Sequence, residues 1–357
     1  MLILGIETSC DETAAAIVKD GVQILSNVVA SSLKMHAKTG GVIPEQAARQ
    51  QVSSIIPVIF QALYESGKKM EDIDAIAVTV GPGLIGSLLV GVETAKTLAC
   101  IFNKPIVPIN HLVAHIYANW LSANPNPKAF KSKLPQFPAL ALVVSGGHTD
   151  LVLMKDHGKI TWIGGTRDDA AGEAFDKCAR LLGLPYPGGP AISSAASTYQ
   201  SSDVNRHPLT MFPRPIITEK NFDWSFSGLK TAVLRETQKL DSKLNPLVPK
   251  LAAEVQEAIV DVLVEKSIRA IKKIKPKSFL LAGGVAANSR LREKFKIGIE
   301  GPLRSINPSF KIDFLVPPPA LCTDNAAYIA ACAFYNYSPA PWKNLEVRPE
   351  LAIVGQI

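Results

Sequence analysis

Three segments of the chain, residues 2–13, 139–149 and 278–288, share one design. In each, an apolar strand runs straight into a turn of small or hydroxyl residues, and a helix or a second strand follows. Glycines in such turns let the backbone come close to a ligand, and free N–H groups at a turn or helix start receive anionic oxygens. A single Gly-Gly pair is ordinary turn chemistry. Three in a strand-turn setting, at the start of each half and late in the second, point to a phosphate- or nucleotide-like ligand. A fourth strand-turn over residues 75–83 leads into a small-residue, apolar helix over 84–98, and a short strand at 105–109 precedes a helix carrying His111 and His115. Strands mixed with helices in two similar halves predict an α/β protein with a cleft between lobes, at whose mouth the ligand binds.

At 357 residues the chain exceeds the size at which one hydrophobic core keeps growing. Its 47% apolar residues supply two cores. A proline- and lysine-rich stretch over 122–138 marks the connection between them. The expected N-terminal lobe is 1–134, completed by a C-terminal helix at 321–338, and the expected C-terminal lobe is 135–320. Helices are expected over 170–182, 249–274 and 289–296, and a last one over 324–335 with Thr323 or Asp324 as its N-cap.

The longest apolar stretches, such as 279–287, are broken by glycines and fall short of the roughly 18 residues that a bilayer span needs. No membrane segment is expected, and a strand that opens at Leu2 leaves no room for an export signal, a pattern that a trimmed organellar protein would share. The cysteines (Cys10, Cys100, Cys178, Cys322, Cys332) are scattered without a CxxC pair and read as reduced thiols of a cytoplasmic protein. The formal charge is +7, with bases clustered at Lys128, Lys131 and Lys133 and again at Lys266, Arg269, Lys272, Lys273, Lys275 and Lys277. Such clusters offset phosphate charge on a nucleic acid. A solvated helix face explains the second cluster equally well.

His111 and His115 stand four apart and fall on one helical face, so one metal ion can take both, with Asp324 completing the set. Two imidazoles and one carboxylate leave coordination positions open for chemistry on a bound group. An isolated HxxxH is more often a pair of hydrogen-bonded imidazoles, so the neighbouring motifs decide. A zincin peptidase needs Glu directly after the first His, and this chain has Leu112 there. A small-molecule kinase of similar fold has no use for the imidazoles, because Mg²⁺ prefers carboxylates and water. A non-catalytic binding module would purify without a stoichiometric transition metal.

In order along the chain come GIETSCDET at 5–13, HxxxH at 111–115, VSGGHT at 144–149, DDAAGEAFDK at 168–177, PGGP at 187–190, FSGLKT at 226–231, AGGVAAN at 282–288 and CTDN at 322–325. Together they resemble the TsaD family, the tRNA threonylcarbamoyltransferases formerly called glycoproteases. The resemblance implies the two-lobed α/β fold shared by actin, hexokinase and acetate kinase (the ASKHA fold), with duplicated ribonuclease-H-like halves. It implies transfer of a threonylcarbamoyl group from threonylcarbamoyl-AMP to the N6 amine of adenosine 37 in tRNAs reading codons that begin with adenine. It implies one metal ion per subunit on His111, His115 and Asp324, usually iron with zinc as the alternative, and no organic cofactor. Val143, Val144, Ser145, Gly146, Gly147, Asp176, Gly189 and Asn288 match the positions that hold the adenylate. The implied partners are tRNA, a TsaB-like paralogue and a TsaE-like ATPase in a bacterial setting, with a TsaC-like enzyme making the adenylate; an organellar member would work as a homodimer.

An acyl-adenylate is already activated, so the protein must chiefly position the reactants and stabilise developing negative charge. Asp176 suits acceptance of hydrogen bonds from ribose hydroxyls, against the alternative of a surface ion pair on a helix. Amine attack releases a proton, for which Asp11 and Glu12 in the turn after the first strand are the candidate bases. The competing role for that pair is to cap a following helix.

Overall fold

The computed structural model describes residues 1–122, 134–199, 211–240, 245–303 and 311–355. It divides into two units: Met1–Gln136 with Met154–Thr161 and Pro317–Ile357, and Phe137–Leu153 with Trp162–Val316. The lysines at 128, 131 and 133 lie outside the described residues.

The first unit is built on a five-stranded sheet in the order β3-β2-β1-β4-β5. Its strands are β1 (Leu2–Glu7), β2 (Glu12–Lys19), β3 (Gln23–Ser31), β4 (Ala75–Gly81) and β5 (Ile106–Asn110). β1 pairs antiparallel with β2 and parallel with β4, and β4 runs parallel to β5. β1 and β4 are apolar at nearly every position, β1 buried from Ile3 onward and β4 throughout, as strands covered on both faces must be. Alternation along β1 divides the two coverings. After the short helix α1 (Leu33–Thr39) come helices α2 (Pro44–Ser66) and α3 (Ile85–Phe102); Leu4 and Ile6 join the core formed by Ile55, Val58 and Ile59 of α2 and Val92 and Ala95 of α3. Gly5 points the other way, where a Cβ would lie 2.3 Å from the Ala326 carbonyl oxygen beside the terminal helix Ala327–Tyr335. Only a residue without a side chain lets that helix rest directly on the strand.

α3 departs from the expectation that no apolar stretch reaches the length of a bilayer span. It is 18 residues long and apolar enough to meet that measure. The glycines that break up the sequence pattern, Gly86 and Gly91, sit inside the helix rather than ending it, and Gly91 gives passage to Thr8, whose Oγ1 would lie 2.3 Å from an added Cβ. The inner side of α3 packs into the core, while Lys96 pairs with Glu93 on its surface at 2.8 Å. Beyond the core-facing residues, Val52, Ile56, Phe60 and Tyr64 form an i, i+4 stripe on α2, more than half exposed in every case (59–74%). Ile85, Leu89 and Ile101 of α3 are exposed as well.

The second unit has its own five-stranded sheet, in the order β10-β9-β6-β7-β8. The strands are β6 (Ala139–Val144), β7 (Thr149–Asp156), β8 (Lys159–Gly165), β9 (Ser278–Ala282) and β10 (Asp313–Leu315). β6, β9 and β10 are parallel. Around them stand helices over Ala171–Leu181, Gly188–Ser197, Ser227–Leu240, Val248–Ile274 and Ser289–Gly298. The long helix Val248–Ile274 is buried along most of its length, which explains why its apolar positions recur at helical spacing. The terminal helix of the chain begins at Ala327 rather than Asp324, and its N-cap, Ala326, has no side-chain acceptor; Asn325 Oδ1 instead accepts the Ala327 N–H at 3.1 Å. Asp324 therefore sits in the turn before the helix, with its carboxylate free of capping duty.

Candidate metal centre and adenylate-binding turns

In the first unit, β5 runs without a break into the short helix α4 (His111–Tyr117). Asn110 caps it, its Oδ1 accepting the N–H groups of Leu112 at 2.9 Å and Val113 at 3.2 Å. That cap makes His111 the first helical residue and sets His115 one turn on, on the same face. The terminal helix crosses the same region, and the turn before it delivers Asp324. One donor atom from each of His111, His115 and Asp324 lies within 4.8 Å of the others. His115 Nε2 is 3.4 Å and His111 Nε2 3.7 Å from Asp324 Oδ1, and the two imidazole centroids are 4.6 Å apart.

The donor set suits a metal ion. His115 is buried (1% exposed), and its Nδ1 has no hydrogen-bond partner among the described residues. Two nitrogens and one carboxylate oxygen are the ligands of transition-metal sites that keep positions open. The electrostatics are uneven. Burial disfavours the imidazolium of His111, but the carboxylates of Glu7 and Asp324 outweigh it and push the value up to about 9. Burial also disfavours a cation at His115, and there the neighbouring His111 adds to the effect, so its value falls. Partial burial of Asp324 opposes ionisation, yet His111 and His115 hold it well below the usual carboxylate range. The Tyr328 hydroxyl donates to Asp324 Oδ1 at 3.3 Å, and its ring lies 4.6 Å from that of His115.

Asp11 and Glu12 do not cap a helix, because the turn leads into β2, and Glu12 is its first residue. Glu12 Oε1 accepts from the Ser31 hydroxyl at 2.7 Å, while Oε2 is buried without a partner among the described residues. Burial first, then the negative charges of Asp11 and Asp324, push Glu12 up to about 7. Burial raises Asp11 as well, and Asp324 adds to it. Both candidate bases thus feel the charge of Asp324, a candidate metal ligand.

Glu7 belongs to this site although no sequence motif marks it as a candidate. It closes an apolar strand and is wholly buried; Thr79 Oγ1 donates to its Oε2 at 2.5 Å, Ser9 N–H donates to its Oε1 at 2.5 Å, and His111 Nδ1 lies 3.1 Å from Oε2. The available signal was a carboxylate at the end of a buried strand, a position held only by groups with partners.

In the second unit, β6 and β9 are parallel, so the turns after them, 145–147 and 283–288, share one sheet edge, the place where α/β sheets take ligands. The glycines there fall into two kinds. At Gly283 (φ +90°) a Cβ would lie 2.3 Å from Val144 O, and at Gly172 one would lie 2.5 Å from Ser145 O, so packing demands glycine. At Gly146, Gly147 and Gly189 an added Cβ would meet no protein atom within 4 Å, which leaves room for a ligand. Val143 and Val144 are fully buried and can offer only backbone. Asp176 feels the charge of Arg180 one turn on, and its Oδ1 also accepts the Gly188 N–H at 2.6 Å, holding the Pro-Gly-Gly-Pro turn, while the adjacent Lys177 pairs with Asp169 and Glu173. Asn288 caps helix Ser289–Gly298 through Oδ1 to Leu291 N–H at 2.9 Å, and its Nδ2 donates to Gln256 Oε1 at 2.9 Å.

Part of the second basic cluster is spoken for. Lys266 is buried, its ammonium donating to Asn221 Oδ1 and Asp223 O, and Arg269 donates to the carbonyls of Ile217 and Glu219. Lys272, Lys273, Lys275 and Lys277 are exposed.

The family model of TsaD, tRNA N6-adenosine threonylcarbamoyltransferase, matches residues 23–331. The chain belongs to the TsaD family. It is 50% identical over 355 residues to the tRNA N6-adenosine threonylcarbamoyltransferase of Thermomicrobium roseum, covering 94% of this chain and 92% of that protein. With the protein of the same name from Dehalococcoides mccartyi strain BAV1 it is 48% identical over 359 residues, covering 99% of this chain and all of that one. The TsaD-family chain is accordingly a transferase that modifies tRNA. Its fold is of the ASKHA type: full-length HypF, solved in a phosphate- and nucleotide-bound form, superposes with a TM-score of 0.55 at 12% identity, over 94% of this chain and 55% of that one.

Proposed function

We propose that this TsaD-family enzyme transfers the threonylcarbamoyl group of threonylcarbamoyl-AMP to the N6 amine of adenosine 37 in tRNAs that read codons beginning with adenine, with release of AMP. The observation that carries this reading is the meeting of His111, His115 and Asp324 donor atoms within 4.8 Å in a chain whose glycine turns are open to a ligand. These three residues would hold one ion per subunit, Fe²⁺ in our assignment with Zn²⁺ as the alternative. When bound, that ion supplies Lewis-acid polarisation of the carbamoyl carbonyl.

The remaining work falls to the chain. The open turn at Gly146 and Gly147 gives its backbone N–H groups to the phosphate, the backbone of Val143, Val144 and Ser145 lies beside it, and the uncrowded Gly189 leaves room for the purine of the adenylate. Asp176, one oxygen of which is committed to Gly188, offers the other to a ribose hydroxyl. Asn288 adds a carboxamide proton beside the same turns. Glu12, poised near neutrality by its surroundings, takes the proton lost by the attacking amine, and Asp11 shares its negative field.

The surface supplies the partners. Lys272, Lys273 and Lys275 meet tRNA phosphates. The exposed apolar stripe of α2 and the neighbouring α3 form a face suited to a paralogue of TsaB type, or to a second copy in an organellar homodimer. A TsaE-like ATPase and a TsaC-like supplier of the adenylate complete a cytoplasmic system. Reconstitution with labelled threonine, bicarbonate, ATP and tRNA, paired with elemental analysis, tests the reading. Label in tRNA together with a stoichiometric metal supports it, and no label with every partner present overturns it.

A further inference from the structure

We propose that Glu7 is the positioning residue of the metal centre, acting through His111 by fixing which ring nitrogen carries the proton. The inference rests on the metal-centre reading given above and goes one layer further out. Glu7 Oε2 lies 3.1 Å from His111 Nδ1, and Nε2 of the same ring faces Asp324 Oδ1 at 3.7 Å. An Nδ1–H donated to Glu7 makes Nε2 the nitrogen that gives up its proton when an ion binds, the pattern in which a carboxylate orients a ligating imidazole.

The pattern of donors around Glu7 requires a carboxylate. Ser9 N–H donates to Oε1 at 2.5 Å, and Thr79 Oγ1 donates to Oε2 at 2.5 Å, the oxygen that also faces His111. Both oxygens must accept. A carboxamide of the same shape can satisfy only one side. With its oxygen toward His111 and Thr79, its NH₂ abuts the Ser9 N–H, donor against donor. With its oxygen toward Ser9, its NH₂ donates to His111 Nδ1, which must then accept, and the ring proton moves to Nε2, where it blocks the ion. Ser9 Oγ, 3.2 Å from the same Nδ1, can give or take and so does not decide the tautomer. The site is held from below by residues far apart in sequence, with Thr79 on β4 and Glu7 on β1, and both are wholly buried.

The test uses metal-free full-length protein titrated with Co²⁺, read by affinity and by the visible absorption bands of the bound ion. Wild type is expected to bind one Co²⁺, and His115→Ala is expected to lose it; if wild type binds none, or His115→Ala binds as tightly, the metal-centre reading itself fails. With that reading standing, Glu7→Gln is expected to bind Co²⁺ some 10–100-fold more weakly with shifted bands, while its metal-free melting temperature stays near wild type. Wild-type affinity and bands in Glu7→Gln overturn the proposal. An equal fall in melting temperature and affinity, with unchanged bands, also overturns it, because Glu7 would then be structural only. If Glu7→Gln does not fold, Thr79→Val carries the test. It removes the hydroxyl that holds Oε2 and leaves Glu7 and His111 in place, so affinity should fall several-fold with a band shift, and a wild-type result there sinks the idea.

Discussion

Gly5 of β1 and Ala326, at the head of the terminal helix, approach so closely that a single methyl group on Gly5 would lie 2.3 Å from the Ala326 carbonyl oxygen. This approach sets the height of the terminal helix on the sheet and, two residues before Ala326, the position of Asp324. Gly5→Ala is therefore expected to do two things. Overpacking against backbone should destabilise the protein by about 1–3 kcal/mol, and the displaced Asp324 should lower metal affinity. Chemical denaturation and metal stoichiometry check both; a destabilised variant with full metal affinity would show that the turn adjusts independently of the helix.

The pH dependence of transfer should report Glu12. Burial and two negative neighbours push its value up to about 7, above the ordinary carboxylate value, so the basic form is present above that pH and is lost as pH falls through it. Single-turnover transfer is expected to rise through pH 7 and level off, and Glu12→Gln should abolish that rise and slow transfer by roughly 10²–10⁴. Stability runs in the opposite sense. A folded-state value above the unfolded one means that ionisation costs stability as pH climbs from the unfolded value through the folded one. Glu12→Gln should therefore be more stable than wild type at pH 8 and indistinguishable from it at pH 4. Unchanged single-turnover rates would remove Glu12 from the chemistry.

The meeting of His111, His115 and Asp324, the candidate ligand triad, was legible because two of its members obey a local rule, an i, i+4 pair on a helix, and the third lies in a motif of its own. The turns at 145–147 and 283–288 were legible for the same reason: strand, glycine and helix start follow one another in sequence. Glu7 was not. Its partners, Thr79 and His111, lie 72 and 104 residues away, and no local pattern brings them together. The distinction between Gly283, required by Val144, and Gly146, open to a ligand, is likewise a fact of packing that identical letters conceal. Lys266 shows the converse error, because charge clusters in sequence ignore which side of a helix faces the core.

That contrast between glycines makes a paired prediction. Gly146→Ala adds a Cβ with nothing within 4 Å, so stability should stay within about 0.5 kcal/mol of wild type, the range of a neutral surface change. Affinity for AMP should nevertheless fall, because the methyl group occupies the space assigned to the adenylate. Gly283→Ala should do the reverse in order of severity: the left-handed φ of +90° and the 2.3 Å approach to Val144 O predict about 1–3 kcal/mol of destabilisation. Isothermal titration with AMP and thermal melts of both variants check the pair. Full AMP affinity in Gly146→Ala would move the nucleotide away from this turn.

The lysines of helix Val248–Ile274 and its end separate into two tests. Lys266 donates to Asn221 and Asp223 from a buried position, so Lys266→Met should lower stability by leaving those acceptors unpaired. It should not change the salt dependence of tRNA binding. Lys272, Lys273 and Lys275 are exposed, with Lys273 resting 5.4 Å over the Phe222 ring. Changing all three to Gln should leave the fold intact and weaken tRNA binding across sequences. Every tRNA phosphate that is no longer neutralised should reduce the slope of log affinity against log salt by about 1. A filter-binding series in salt measures both. Equal affinity and slope in the triple variant would assign these lysines to the solvated face of the helix, and tRNA would then have to be met by another surface of the protein.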